Sequence, residues 1–328
     1  MKVLVTGATG FVGQALIENL MLNSCEVRAL VRDSYAELPL AVERVVMGDL
    51  MNLTLSNSSS VLRSAFKGVD TVVHTAARAH VMNDEVSNPL DEFRKVNLNA
   101  TLVLARLSAE AGVKRFVFLS SIKVNGEMTK CSQAFTPDDV HIPEEPYGLS
   151  KYEAEQGLLS LVQDTNMEAV IIRPPLVYGP RVRGNFASIM RWMRLPLPLP
   201  FGSIDNQRSL VALDNLVSFI SLCADRKKSL KASNQIFLIS DGEDVSTTQL
   251  LKKVRQALNH QSPSGIKAWL VPFPVFIMTF FANMLGKSDL ANRLFGSLKV
   301  DSSKSYELLG WTPVVTMDEQ LAKMFKEV

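Results

Sequence analysis

A doubly wound α/β fold, an open parallel sheet with helices on both faces and a smaller, less regular second domain, is what this sequence predicts. Three observations predict it. Short β-branched runs alternate with longer helical patterns through the first half of the chain. A glycine-rich turn, VTGATGFVG, comes after the first run and opens a helix. After Pro174 prolines cluster in RLPLPLPFG and the alternation fades. Strand and helix in succession imply parallel pairing, because each helical crossover returns the chain to the same end of the sheet and covers one of its faces.

In order, KVLVT reads as the first strand, with a helix from about Phe11. EVRALV and RVVMG are the next strands, and the polar stretch NLTLSNSSS is a loop running into a helix near Ser60 to Lys67. DTVVHTA, a helix through Asn97 to Ala111, RFVFLSS, a helix from Tyr147 and AVIIRPP complete the first half, and NQIFLIS reads as a strand returning to the same sheet. The dinucleotide-binding domain is expected over 1–173 and 206–241. The second, substrate-binding domain is discontinuous, over 174–205 and 242–328.

Hydrophobic residues at 47% fill a substantial core, and 35 Lys and Arg against 33 Asp and Glu leave a charge of +2. That balance argues against a nucleic-acid groove or a polybasic membrane surface. Cys25, Cys131 and Cys223 show neither metal-site pairing nor the density of a disulfide scaffold, and the apolar start breaks into glycines too soon for a signal peptide. A reducing cytoplasm is the compartment expected. The uncharged stretch AWLVPFPVFIMTFFANML (268–285) is interrupted by Pro272 and Pro274, and its unbroken part after Pro274 is about half the roughly 20 residues of a membrane crossing. It is expected to be a buried or partner-facing helix, with peripheral membrane contact as the second reading.

Gly7, Gly10 and Gly13 are spaced so that the backbone turns tightly and approaches a pyrophosphate at the helix N-terminus, where Thr9, Phe11 and Val12 share the turn. An acidic residue at the end of the second strand would hold the ribose of NAD. This chain has Val31 there and Arg32 next, and an arginine suits a 2′-phosphate. NADP(H) is therefore preferred. NAD(H), with Asp33 at the ribose, is the alternative.

In EEPYGLSKYEAEQ, Lys151 lies one helical turn after Tyr147 and on the same face. A phenol with a pKa of about 10 is a poor base near neutrality, and a neighbouring ammonium favours its ionised form. Alone the two would be an incidental surface pair; behind the glycine turn and the serines of LSSIKVNGE they are expected to move a proton to or from a carbinol oxygen.

TGATGFVG, GDL (48–50), HTAA (74–77), VNLNAT (96–101), LSSIKVNGE (119–127), YGLSK (147–151), RPPLVYGP (173–180), RSLVALDNL (208–216) and LGWTP (309–313) occur in this order. In this set the chain resembles the extended short-chain dehydrogenase/reductase superfamily, in its nucleotide-sugar epimerase, dehydratase and reductase group. The resemblance implies a Rossmann-type domain. It places Asp49 and Leu50 at adenine, His74, Ala76 and Ala77 beside the pyrophosphate, Asn97 in support of the nicotinamide side, and Pro174 at the cofactor. Tyr147, Lys151, Ser121 and Asn97 become the catalytic set, Tyr147 and Lys151 also touching the cofactor, and Ser121 with its neighbour Ser120 contacts the substrate. Asn125 stands where the family has tyrosine, a change expected to alter the sugar pocket.

The resemblance further implies a UDP-sugar substrate, with Asn185 and Phe186 near its nucleotide, Arg208 on its pyrophosphate and Arg293 as a second cation. A structural ion pair of Arg208 with Asp205 or Asp214 is the alternative. Leu176 replaces an asparagine of the galactose epimerases. The expected reaction is hydride transfer at carbon 4 of a UDP-hexose, leaning to NADPH-dependent reduction of a UDP-4-keto-(6-deoxy)-N-acetylhexosamine in surface polysaccharide synthesis. A UDP-hexose 4-epimerase with retained NAD is the alternative; a non-catalytic dinucleotide sensor is the alternative of another class. A homodimer packed through the helices carrying Asn97 and Tyr147 is implied, and the apolar stretch with 286–290 could face a membrane or a membrane-associated glycosyltransferase.

Overall fold

The computed structural model describes residues 1–56, 60–79, 88–130, 133–182, 184–195, 197–261, 269–284, 286 and 288–326. The chain runs through β1 (Lys2–Thr6), α1 (Phe11–Leu22), β2 (Glu26–Val31), β3 (Glu43–Val46), α2 (Ser60–Ala65), β4 (Thr71–His74) and α3 (Pro89–Phe93). A π-helical stretch, Arg94–Ala100, leads without a break into α4 (Thr101–Glu110), succeeded by β5 (Arg115–Leu119), α5 (Pro146–Gln163), β6 (Glu168–Arg173) and β7 (Leu176–Tyr178). Then come α6 (Asn185–Met193), β8 (Pro198–Leu199), β9 (Arg208–Ala212), α7 (Leu213–Ala224), β10 (Gln235–Leu238), β11 (Asp244–Val245) and α8 (Thr247–Gln261). β12 (Trp269–Leu270), α9 (Val275–Met284), α10 (Ser288–Phe295), α11 (Ser303–Leu309) and α12 (Met317–Lys326) close the chain.

The main sheet has the spatial order β10-β6-β5-β4-β1-β2-β3, and every pairing in it is parallel. It is the doubly wound sheet expected, with β10 returning beside β6. Its strands alternate between two cores. Val3 and Val5 face Leu16, Ile17 and Leu20 of α1 and Leu216 and Ile220 of α7. Leu4 faces the opposite side with Leu62, Leu104 and Leu158, as the period-2 geometry of a strand requires. The strand order reverses between β1 and β4, so the crevice beyond their carboxyl ends, where Thr6 lies beside His74, is the place a ligand enters such a sheet.

A third core, built on Tyr178, Phe186, Leu210, Leu251, Leu321 and Phe325, belongs to the second region. Its small sheet has the order β11-β9-β7. β9 thus lies with β7 and β11, while α7 directly after it packs on α1 under the main sheet.

The apolar stretch takes a course that pattern alone did not give. α9 contains no buried residue, and Phe276 and Phe280 are 75% and 61% exposed, with Phe281 and Met284 also uncovered. Of the buried or partner-facing helix expected, the buried alternative is corrected here: an apolar run reports affinity for another surface, and the described residues do not cover this one. Among the described residues no helix is long and apolar enough to cross a membrane.

Candidate active site

The glycine turn is held by close approach. Gly7 has a φ of +69°, and a Cβ there would lie 2.6 Å from the Ala76 nitrogen; a Cβ on Gly13 would collide with the Gly7 carbonyl. The turn therefore presses against both the segment after β4 and the first turn of α1. Thr9 and Gly10 are exposed at its rim, and Phe11 and Val12 are half-buried. α1 begins with no side-chain cap and no acid in its first turn, so its leading N–H groups have no side-chain acceptor and can meet an anion.

Val31 is buried at the end of β2 and Arg32 is exposed just beyond it. Asp33 accepts a hydrogen bond from the Tyr35 nitrogen (3.0 Å), which ties one carboxylate oxygen to a local turn. Asp49 is exposed and caps the short turn Leu50–Asn52 through the Met51 nitrogen (3.0 Å).

His74 ends β4 and turns its side chain into the core. It is fully buried and stacked on Phe118. Thr101 Oγ1 donates to the Asn97 carbonyl, so it accepts from His74 Nε2 (2.9 Å), and Thr6 Oγ1 donates to Nδ1 (2.6 Å). Burial, and after it the Lys151 charge, drives its pKa down to about 3 and holds the ring neutral. Only the backbone after it, with Ala76 and Ala77 partly or fully exposed, faces the crevice.

Asn97, buried in the π-helical stretch, uses its whole amide. Oδ1 accepts from the Arg78 nitrogen (2.9 Å) while Nδ2 donates to the Arg78 carbonyl (3.1 Å) and to Ser150 Oγ (3.0 Å). Ser150 donates in turn to the Tyr147 carbonyl (2.8 Å). The asparagine therefore clamps the loop after β4 to the head of α5, the kind of local use to which wide helical turns are often put.

The two serines after β5 part company. Ser120 is buried and donates to Glu155, which accepts a forked bond from Arg173. Arg173 Nη1 also donates to Asn125 Oδ1 (3.0 Å), and Asn125 Nδ2 donates to the Thr136 carbonyl (2.7 Å). The substrate contact expected of Ser120 is corrected: its side chain, like that of Asn125, is committed to a buried network. Ser121 is half-buried, caps the turn Ile122–Val124 by accepting from the Lys123 nitrogen (3.3 Å), and lies near enough to the Tyr147 phenol to oppose the rise of its pKa. Pro174 is buried, and its carbonyl accepts from the Ile122 nitrogen (3.0 Å).

Glu145 caps α5, accepting from the nitrogens of Tyr147 (3.1 Å) and Gly148 (3.0 Å), with Pro146 in the first turn. Tyr147 is half-buried and meets the edge of Phe93 at 5.9 Å between centroids. Its pKa moves opposite to the direction its lysine neighbour suggested. Burial pushes it up to about 12, against the Ser121 hydrogen bond and helped by the Glu145 charge. Lys151 is not directed at the phenol. Its Nζ donates to the Leu119 carbonyl (2.9 Å) and lies 4.5 Å from the Phe118 ring centre. Burial pulls its pKa down to about 7, partly resisted by Glu155.

A lysine whose folded pKa lies near 7, below its ordinary 10.5, is a burden on the fold at low pH. Between those values the unfolded chain binds more protons, so this contribution improves as pH rises and is worst below about 7. Lys151→Met is expected to abolish turnover yet raise stability by roughly 2–4 kcal/mol at pH 6, with a smaller gain at pH 9, as urea unfolding at the two pH values would show.

On the substrate side, Arg208 is largely buried, which lowers its pKa. It donates to the Gly296 carbonyl (2.9 Å), and among the described residues no carboxylate pairs with it; Asp214 pairs instead with Lys323 (2.9 Å). Phe186 is corrected from substrate contact to core: it is fully buried and stacked on Tyr178. Asn185 opens α6, and its side chain lies outside the described part of the structure. Arg293 is exposed on the last turn of α10. Sequence reasoning missed Lys123, Glu145, Glu155 and Arg173. The spacing of Lys151 and Glu155, one turn apart, was the available signal for one of them.

Compared with known proteins, the chain matches the NAD dependent epimerase/dehydratase family over residues 3–239. It is 45% identical over 320 residues to a UDP-glucose 4-epimerase of Vibrio cholerae, covering 97% of this chain and 92% of that protein. It is 30% identical over 268 residues to the N-acetyl-alpha-D-glucosaminyl-diphospho-ditrans,octacis-undecaprenol 4-epimerase of Escherichia coli O157:H7, covering 80% and 74% of the two chains. Among solved structures, UDP-glucose 4-epimerase from Thermotoga maritima with UDP-glucose superposes with a TM-score of 0.76 at 22% identity, over 100% of this chain and 99% of that one; this likeness concerns the fold. With a family match over most of its length and a relative of near-half identity along almost all of it, this chain is an enzyme of the NAD dependent epimerase/dehydratase family.

Proposed function

We propose that this enzyme inverts carbon 4 of a UDP-linked hexose by removing and returning a hydride with a bound nicotinamide cofactor. The observation that carries the reading is that Tyr147 at the head of α5 and Ser121 at the head of the turn Ile122–Val124 are brought together where Gly148 packs on the Lys123 carbonyl, with Lys151 buried one turn along the same helix. A phenol with a hydroxyl partner can take the proton of a sugar hydroxyl while the serine holds the same oxygen, then return it after the ring has turned. Without cofactor the phenol is held in its neutral form; a positive charge arriving beside it favours the phenolate, which is the form the first step needs.

The chain's residues fit a dinucleotide. The glycine turn leaves room that side chains would fill, α1 offers N–H groups to a pyrophosphate, and Lys151 has donors to spare for ribose hydroxyls. When bound, the nicotinamide accepts and gives back the hydride. Arg208, a largely buried cation without a carboxylate partner among the described residues, suits a diphosphate.

The 4-epimerase of Vibrio cholerae, 45% identical, supports inversion over net reduction. One observation favours the second reading, NADPH-dependent reduction of a 4-keto sugar: exposed Arg32 stands just after β2, where a 2′-phosphate would lie. Purified enzyme decides between them. UDP-glucose is expected to equilibrate with its 4-epimer without added coenzyme, and NAD is expected to be released on denaturation. Consumption of one NADPH per 4-keto sugar, with no epimer formed, would overturn the proposal in favour of the reductase.

A further inference from the structure

The catalytic turn and the catalytic helix are joined by an ion pair whose two members serve different elements. Lys123 belongs to the turn Ile122–Val124 capped by Ser121, and its Nζ lies 3.0 Å from Glu145 and 3.5 Å from Glu127. Glu145 is the cap of α5, bonded to the Tyr147 and Gly148 nitrogens. The two elements also touch directly, since a Cβ on Gly148 would meet the Lys123 carbonyl at 2.9 Å. The ammonium itself stands 5.7 Å from the Tyr147 ring centre.

Resting on the 4-epimerase reading, we infer that Lys123 is a positioning residue. By binding the cap of α5 it fixes the Ser121 hydroxyl against the Tyr147 phenol, and its charge balances that of Glu145 beside the ring. The opposed charges have distinct consequences. Glu145 alone disfavours the phenolate, and the lysine over the ring favours it. The other charged groups around the phenol are arranged separately. Lys151 is bonded to the Leu119 carbonyl, Arg78 lies over Phe93, and Arg94 is paired with Glu153 on the flank of α5. None of these spans the serine turn and the helix cap.

The test uses full-length enzyme with its retained cofactor, varied as Lys123→Met, Lys123→Arg, Glu145→Gln and the Lys123→Met/Glu145→Gln pair. Two quantities are read: the pH limb on which turnover rises with ionisation of the phenol, and amide hydrogen exchange at 121–124 and 147–148. Lys123→Met is expected to move that limb upward by about half a unit or more. Its amides should exchange about tenfold faster. Glu145→Gln moves the limb downward, the double variant returns near the wild type, and Lys123→Arg keeps the wild-type limb. An unmoved limb together with unchanged exchange in Lys123→Met would overturn the inference, as would a double variant whose limb stays at the position of Lys123→Met alone. If the exchange changes occur in an enzyme that does not epimerise UDP-hexoses, the latch stands and the functional reading is what fails.

Discussion

Replacing Tyr147 by phenylalanine is expected to lower kcat by about 10³-fold while leaving the unfolding transition and the retained cofactor close to those of the wild type. The ring remains packed against Phe93, and only the oxygen that would exchange a proton with the sugar is removed. Ser121 and Lys151 remain in place, so the loss measures the phenol and not a collapse of its surroundings. Steady-state turnover of UDP-glucose, with calorimetry on the same samples, separates the two. A variant retaining more than about a tenth of the wild-type rate would be too active for a direct proton-transfer role.

The second large effect falls on stability. Arg173 and Glu155 are both buried and share a forked ion pair, and Ser120 and Asn125 complete its hydrogen bonds. Arg173→Met strands the Glu155 carboxylate away from water and is expected to cost about 3–5 kcal/mol in urea unfolding. Changing Glu155→Leu in the same chain removes the stranded charge and should restore most of that loss, because the pair's attraction mainly offsets its own desolvation. A single substitution costing less than about 1 kcal/mol, or a double one no better than the single, would mean that water reaches the site.

What was legible in the sequence divides along physical lines. Local relations could be read: the β1 turn into α1, with its glycines, and the one-turn spacing of Tyr147 and Lys151 depend on neighbours in the chain. Relations made by packing could not. Arg173 reaches Glu155 only because β6 lies beneath α5, so nothing local distinguished Ser120, whose hydroxyl joins that pair, from Ser121, whose hydroxyl does not. β4 is buried throughout, so alternation could not tell which way His74 turns. Phe186 and the phenylalanines of α9 are equally apolar, yet one builds a core and the others face outward; composition cannot separate these fates. The direction of the Tyr147 shift was missed for the same reason, since sequence reveals a nearby ammonium but not the water withdrawn from the phenol.

The wide coil at Arg94–Ala100 constrains how this enzyme can diverge. Both of its ends are moored, at Phe93 against Tyr147 and at Thr101 against His74, so the residue count between them sets the roll of everything inside. Gaining or losing one residue would rotate the intervening side chains by roughly 100° and carry the Asn97 amide off the Arg78 backbone that it grips from both sides. Substitutions along that stretch leave this register intact, whereas a change in its length breaks it.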